Sequence, residues 1–323
     1  MQIFQERNFG NLVGDTFNFF REYGKNYFKT YFILNGALLL IMSLLMIFYY
    51  REFFMQILMA NAGGNSYVFE SYFSNNWPVL LLVGIIGLIL LFLISIVVYT
   101  FPVFYMKRLG ENQTNITTDD ILSDMKKNVG KFFIFCLLTL FVVGPIMMVI
   151  LTISAFLIVV FIGFFLLLLL VPSFFNVINL TLYDYLTTKK GYFESLSYAA
   201  RTVFGNMFDT KRTNFWKYWG STIVMTLAIY VVSMAFSMIP YFIIIGNMSL
   251  NPNFDQVEDP SAIFSGVMGV IFFVSYGVSM FVSSVIYNLI AVNAGLMYYD
   301  SRKDVHRDLD INEIDTIGSE VDA

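Results

Sequence analysis

The chain has 323 residues, a net charge of −4 and a mean hydropathy of +0.70; 58% of its residues are hydrophobic, 18% aromatic and 13% charged. Soluble domains carry about 25% charged residues, so this chain cannot clothe a water-facing surface, and its apolar excess belongs in lipid. A soluble enzyme, a disordered scaffold and a disulfide-rich module are excluded; one cysteine, Cys136, forms no internal disulfide, and one histidine, His306, excludes sites needing two imidazoles.

A membrane crossing takes about 20 mainly apolar residues. The first uncharged stretch is Tyr31–Tyr50; with no small-residue cleavage site it is expected to stay as an anchor. The second runs from Pro78 to Met106. The uncharged run from Phe132 to Tyr183 is too long for one crossing at about 1.5 Å per residue. It is expected to divide near Thr152–Ser154 into spans 132–152 and 155–183, with kinks at Pro145 and Pro172. The fifth span covers 218–245. The sixth, 262–299, exceeds what a crossing needs and is expected to tilt or bend at Gly277. The expected fold is all-α: a polytopic integral membrane protein whose residues 1–299 form one six-span domain and 300–323 an acidic tail.

Basic residues set the orientation. Every Lys and Arg except Arg51 lies before the first span, between the second and third, between the fourth and fifth, or after the sixth. The positive-inside bias makes that face cytoplasmic, and an even number of spans puts both termini there. Richness in Phe, Asn, Ile and Lys suggests an AT-rich bacterial genome, hence the bacterial inner membrane.

Three cytoplasmic lead-ins share a texture: Leu12–Lys29 before the first span, Thr118–Phe133 before the third, and Tyr192–Phe208 with Asn214–Gly220 before the fifth. Each opens on an acid or hydroxyl suited to a helix start, Thr118 for example, with Ile121 inward. Apolar residues then recur at helical spacing (Leu12, Thr16, Phe19, Phe20, Tyr23), and a basic, aromatic cluster closes the segment. The pattern predicts three hairpins, each preceded by an amphipathic helix in the interface plane; ordinary amphipathic connectors are the plainer alternative. Headgroup contacts are expected from Arg21, Lys25, Lys29, Arg201, Trp216, Lys217, Trp219, Tyr298, Tyr299, Asp300 and Arg302, with the Asp300–Arg302 proximity fixing the last helix exit.

The first lead-in, the stretch holding Glu194, Leu196, Ala199, Arg201, Gly205 and Asn206, and the ending Leu296-Met-Tyr-Tyr-Asp-Ser-Arg302 resemble a group of bacterial six-span proteins. That group is similar to the membrane domain preceding the catalytic part of some glycerophosphoryl diester phosphodiesterases. The resemblance covers nearly the whole chain but not the catalytic part, so it implies a membrane module working in a complex rather than the hydrolase activity. Similar chains are sometimes labelled beta-carotene monooxygenase. That label implies a four-histidine iron site, which one histidine cannot build.

No Asp, Glu, Lys or Arg lies within the six expected spans, against ion-coupled transport. The intramembrane amides Asn35, Asn176, Asn179, Asn288 and Asn293 read as interhelical hydrogen-bond partners or as a polar headgroup pocket. Small residues at Ser275, Ser279, Ser283, Ala291 and Gly295, with Gly84, Gly87, Gly266 and Gly269, suit close helix packing. No base stands near those serines to make a nucleophile. The acids Asp255, Glu258 and Asp259 read as a solvated loop, too few for a divalent cation. The acidic tail alternates with apolar residues and is either solvated or folded on a partner. No catalytic residue, cofactor or metal is expected, and nucleic acid is not an expected partner. The expected role is a non-enzymatic scaffold or regulatory subunit of a membrane complex, partnered by membrane lipids, other membrane proteins or a cytoplasmic protein; the alternative is a lipid or small-solute transport component.

Overall fold

The computed structural model describes residues 1–50, 53–54, 56–57, 66–113, 115–205, 214–250 and 266–302. Among them are helices α1 (Phe9–Leu45), α2 (Ser66–Gly110), α3 (Thr118–Leu138), α4 (Gly144–Leu157), α5 (Ile162–Thr187), α6 (Tyr192–Phe204), α7 (Phe215–Leu250), α8 (Gly266–Ile286) and α9 (Asn288–Ser301), and no strand. Six helical stretches are long and apolar enough to cross a membrane: Phe9–Tyr49, Phe69–Gly110, Thr118–Val160, Ile162–Thr187, Phe215–Ile243 and Gly269–Ser301. The chain is an all-helical, multi-pass membrane protein.

Helix boundaries depart from the sequence reading in instructive ways. The lead-ins before the first and third spans are continuous with them, since α1 begins at Phe9 and α3 at Thr118; only α6 stands as a separate element. The N-cap of α3 is Thr117, one residue earlier than expected, in a reciprocal capping box with Asp120, and Ile121 is buried as expected. The turn between α4 and α5 falls at Phe161, not at Thr152–Ser154. Phe161 takes a left-handed conformation (φ 60°), and beyond it Gly163 passes so close to the Ser154 carbonyl that no side chain fits. Residues 66–77 are already helical, so α2 begins twelve residues before Pro78. The long last stretch is interrupted at Tyr287, and α8 runs unbroken through Gly277.

Three of the prolines in the spans have a visible structural answer. Before Pro145 the helix widens into a π turn, Thr139–Val143, where the Gly144 N–H donates to the Thr139 carbonyl instead of the residue 140 carbonyl. Pro172 in α5 has no N–H to offer the Leu168 carbonyl four residues back. The indole N–H of Trp219 takes that carbonyl at 3.0 Å. Pro240 in α7 likewise frees the Phe236 carbonyl, and the Ser279 hydroxyl takes it at 2.9 Å. In lipid such replacement is obligatory, because no water is available to the freed group.

The chain separates into two compact units. One comprises Tyr31–Val98 and Ala228–Tyr287. Its core joins Leu39 and Met42 of α1 to Leu90 and Ile94 of α2, with Met280 and Phe281 of α8 packed alongside. Many of its other apolar side chains, Leu81, Leu88, Tyr230 and Phe242 among them, are exposed, as lipid-facing residues should be. The other unit comprises Met1–Thr30, Tyr99–Leu227 and Asn288–Ala323. Its interior is aromatic: the Tyr27 ring meets Phe101 at 4.8 Å and Tyr105 at 4.9 Å between centroids, with Phe19 at 5.5 Å. All of α9 from Ala291 to Asp300 is buried there.

Candidate functional site

The polar groups of this second unit gather around two buried carboxylates at the ends of α5 and α9. The Asp300 carboxylate accepts from the Arg7 backbone N–H at 2.6 Å, the Tyr218 hydroxyl at 2.5 Å and the Lys217 ammonium at 2.7 Å. Lys217 also donates to the Arg7 carbonyl at 3.0 Å. The Arg7 guanidinium is itself fully buried, bonded to Asp15 at 2.9 Å and to the carbonyls of Ile3 and Gln2 at 2.9 and 2.7 Å. Burial pulls the Arg7 pKa below its ordinary value, and Asp15 acts in the opposite sense.

Asp184, near the end of α5, receives the Lys190 ammonium on both oxygens at 3.2 Å and the Tyr298 hydroxyl at 3.4 Å. Tyr298 bonds in turn to Thr187 at 3.0 Å and accepts from Arg302 at 2.8 Å. On α6, the Tyr198 hydroxyl meets Ser301 at 2.7 Å; burial pushes its pKa up to about 12, so it stays neutral at physiological pH. Isolated buried charges are prohibitively costly, and both carboxylates meet that cost with a cation and a phenol.

These contacts revise several expected roles. Tyr298, Tyr299 and Asp300 are buried against protein at 1%, 3% and 2% exposure and do not face headgroups. Asp300 pairs with Lys217, and Arg302 lies over the Tyr298 ring and on its hydroxyl, so the Asp300–Arg302 pair does not fix the helix exit. Asp300 belongs to α9 and not to a tail; residues 303–323 lie outside the described residues, as do Arg51, Asn206 and the loop holding Asp255, Glu258 and Asp259. Trp219 is committed to the Leu168 carbonyl. Arg21, Lys25 and Lys29 are exposed along one face of α1, four residues apart, and Arg201 and Trp216 are exposed too.

Four of the five amides reach other side chains. Asn293 donates to Thr16 at 2.9 Å and Ser221 at 2.8 Å, Asn176 accepts from Thr222 at 2.6 Å, and Asn288 accepts from Tyr27 at 2.7 Å. In the other unit, Asn35 donates to Tyr31 at 2.9 Å, whose hydroxyl meets Ser284 at 2.8 Å. Asn179 bonds only its own helix, at the Phe175 carbonyl. Interhelical hydrogen bonding is therefore what most of them do.

Sequence reasoning passed over Asp184, Asp15, Arg7, Lys190 and Tyr218 as individual sites. A signal was present: Leu182-Tyr-Asp184 and Tyr298-Tyr-Asp300 each end an apolar run on Tyr-Asp, an acid placed where lipid gives way to connector.

Beside Asp184 a cleft of about 450 Å³ is lined by Lys190, Glu194, Ser197, Tyr198, Arg201 and Thr202. Among the described residues no group of three or more His, Cys, Asp or Glu side chains is arranged to hold a metal ion. The chain matches no family model, no curated protein and no solved structure.

Proposed function

We propose that this chain is a non-enzymatic scaffold or regulatory subunit of a membrane protein complex in the bacterial inner membrane. Its six spans form three hairpins, with both termini cytoplasmic. The observation carrying this reading is that the buried ionisable groups are spent on one another. Asp184, Asp300 and Arg7 each have several partners within the same unit, and those of Asp300 tie α9 to the start of α7 and to the segment before α1, which suits a rigid platform better than a reacting centre. The resemblance to the membrane domain of glycerophosphoryl diester phosphodiesterases agrees with a membrane module that serves a partner.

Affinity purification from mild detergent, after crosslinking in intact membranes, is expected to return the same partner repeatedly; repeated recovery of the chain alone overturns the subunit role. Orientation is tested separately. Single cysteines at positions 126 and 211, in a Cys136→Ser background, are expected to label from the same side of the membrane. Labelling from opposite sides overturns the topology. Transport of lipid or a small solute is the second reading, favoured by buried amide atoms of Asn35 and Asn176 that lack partners. The proline breaks do not help it, since their freed carbonyls at Leu168 and Phe236 are closed by Trp219 and Ser279. Unchanged lipid distribution and solute uptake in a deletion strain discards it.

A further inference from the structure

We infer that the cleft along α6 binds a phosphoethanolamine group, whether as the headgroup of a phospholipid or as a free compound. The inference rests on reading α6 as a helix at the cytoplasmic membrane surface, and not on the scaffold role. Its starting point is a pair of opposite charges on α6. Arg7, Arg108, Lys190 and Lys217 are all held in ion pairs. Glu194 and Arg201, both exposed, make no ion pair among the described residues. They sit seven residues apart on α6, two turns or about 10 Å along the axis. That spacing puts them on one helix face at the lining of one cleft, too far apart along the axis to be ordinary i, i+4 partners.

Ser197 and Tyr198 line the cleft between them and Thr202 lines it just beyond Arg201, with the Tyr198 hydroxyl already held by Ser301. Lys190 completes it. Its ammonium is held by both Asp184 oxygens at 3.2 Å and lies 4.5 Å from the centre of the Tyr198 ring, so its position in the cleft lining is fixed. Charge balance then selects the ligand. Asp184 offsets Lys190 and Glu194 offsets Arg201, so the cleft is close to neutral while holding separated cations and an anion. A dianion gains little from such a field, whereas a zwitterion satisfies both signs. The phosphate goes to Arg201 and Lys190, with hydroxyl donors beside them, and the primary ammonium to Glu194. The cleft is of a size usual for small-ligand sites. Phe193, 61% exposed on the same helix, is an aromatic side chain suited to headgroup depth.

The test uses the full chain in detergent and in nanodiscs of phosphatidylethanolamine and phosphatidylglycerol mixtures. Retained lipid is read by native mass spectrometry, and soluble phosphoethanolamine binding by calorimetry. The expected result is preferential retention of phosphatidylethanolamine, saturable binding of phosphoethanolamine, or both. Lipid preference without soluble binding assigns the lipid source, and the reverse assigns the free compound. Arg201→Ala should weaken either by about tenfold. Glu194→Gln should abolish the preference over phosphatidylglycerol, or over inorganic phosphate, while leaving anion binding intact. Unshifted tryptophan-fluorescence melting curves establish that both variants fold. Absence of both signals in the wild-type chain, or variants that bind with unchanged preference, overturns the inference. Neither outcome bears on the crosslinking or labelling results that test the scaffold reading.

Discussion

The bond from the Trp219 indole to the Leu168 carbonyl, 3.0 Å long, exists because Pro172 cannot make it. Trp219→Phe keeps an aromatic ring and removes only the donor and part of the ring system. The Leu168 carbonyl is then left without a protein donor inside an apolar helix, at a cost of about 1–2 kcal/mol. Pro172→Ala supplies a backbone N–H at the position that α-helical geometry assigns to that carbonyl. In the Trp219→Phe background it should recover about 1 kcal/mol more than it contributes to the wild-type chain. Reversible unfolding in mixed micelles, followed by circular dichroism so that loss of a tryptophan does not confound the signal, measures all four chains of the cycle. A coupling energy under about 0.3 kcal/mol, within ordinary additivity error, refutes the claim that the indole substitutes for the missing amide.

Ser279→Ala should cost about 1 kcal/mol by the same logic, with recovery on adding Pro240→Ala, read in the same unfolding assay. Lys217→Met leaves the Asp300 carboxylate, 1% exposed, with phenol and amide donors but no cation; the expected loss is about 3–5 kcal/mol, and a loss below about 1 kcal/mol in denaturant titration contradicts the role given to this pair. Gly295→Val should lower stability by at least about 1–3 kcal/mol, because a Cβ there would fall within 2.3 Å of the Met106 sulfur and 2.5 Å of the Tyr183 oxygen; recovery of a monodisperse, wild-type-stable protein argues against that packing. The folded Tyr198 holds its proton up to about pH 12, against 10.0 for a free phenol, so its burial favours the folded state in full below about pH 10 and less as pH rises toward 12; phenolate absorbance compared with Tyr198→Phe should show no Tyr198 ionisation until that upper limit.

The six spans were legible because apolar length is a local property, written in consecutive residues. At Pro145, where the sequence predicts a kink, the structure shows a π turn just before the ring, a departure from the regular helix at the expected place but of a form the sequence does not specify. The turn at Phe161 was not legible. Thr152 and Ser154 are more polar, but Thr152 merely bonds back to the Met148 carbonyl, and the chain reverses at a phenylalanine in a conformation that side chains disfavour. The buried carboxylates were hidden for a different reason. An acid at the end of an apolar run looks solvated until its partners are known, and those of Asp300 come from residues 7, 217 and 218. The bond from Trp219 to the Leu168 carbonyl was hidden too, because the donor it replaces is missing from another helix, which no reading of its own neighbourhood reveals.

The Arg7 amide reaches Asp300 across 293 positions of sequence, so this corner cannot close until Asp300 itself has been made. Until α9 is made, the Lys217 ammonium, the Tyr218 hydroxyl and the Arg7 backbone N–H lack the carboxylate that joins them, while the Arg7 guanidinium keeps its own partner, Asp15. A chain interrupted before Asp300 is therefore missing a residue that ties the segment before α1 to the start of α7, and Lys217 is left without its counter-charge.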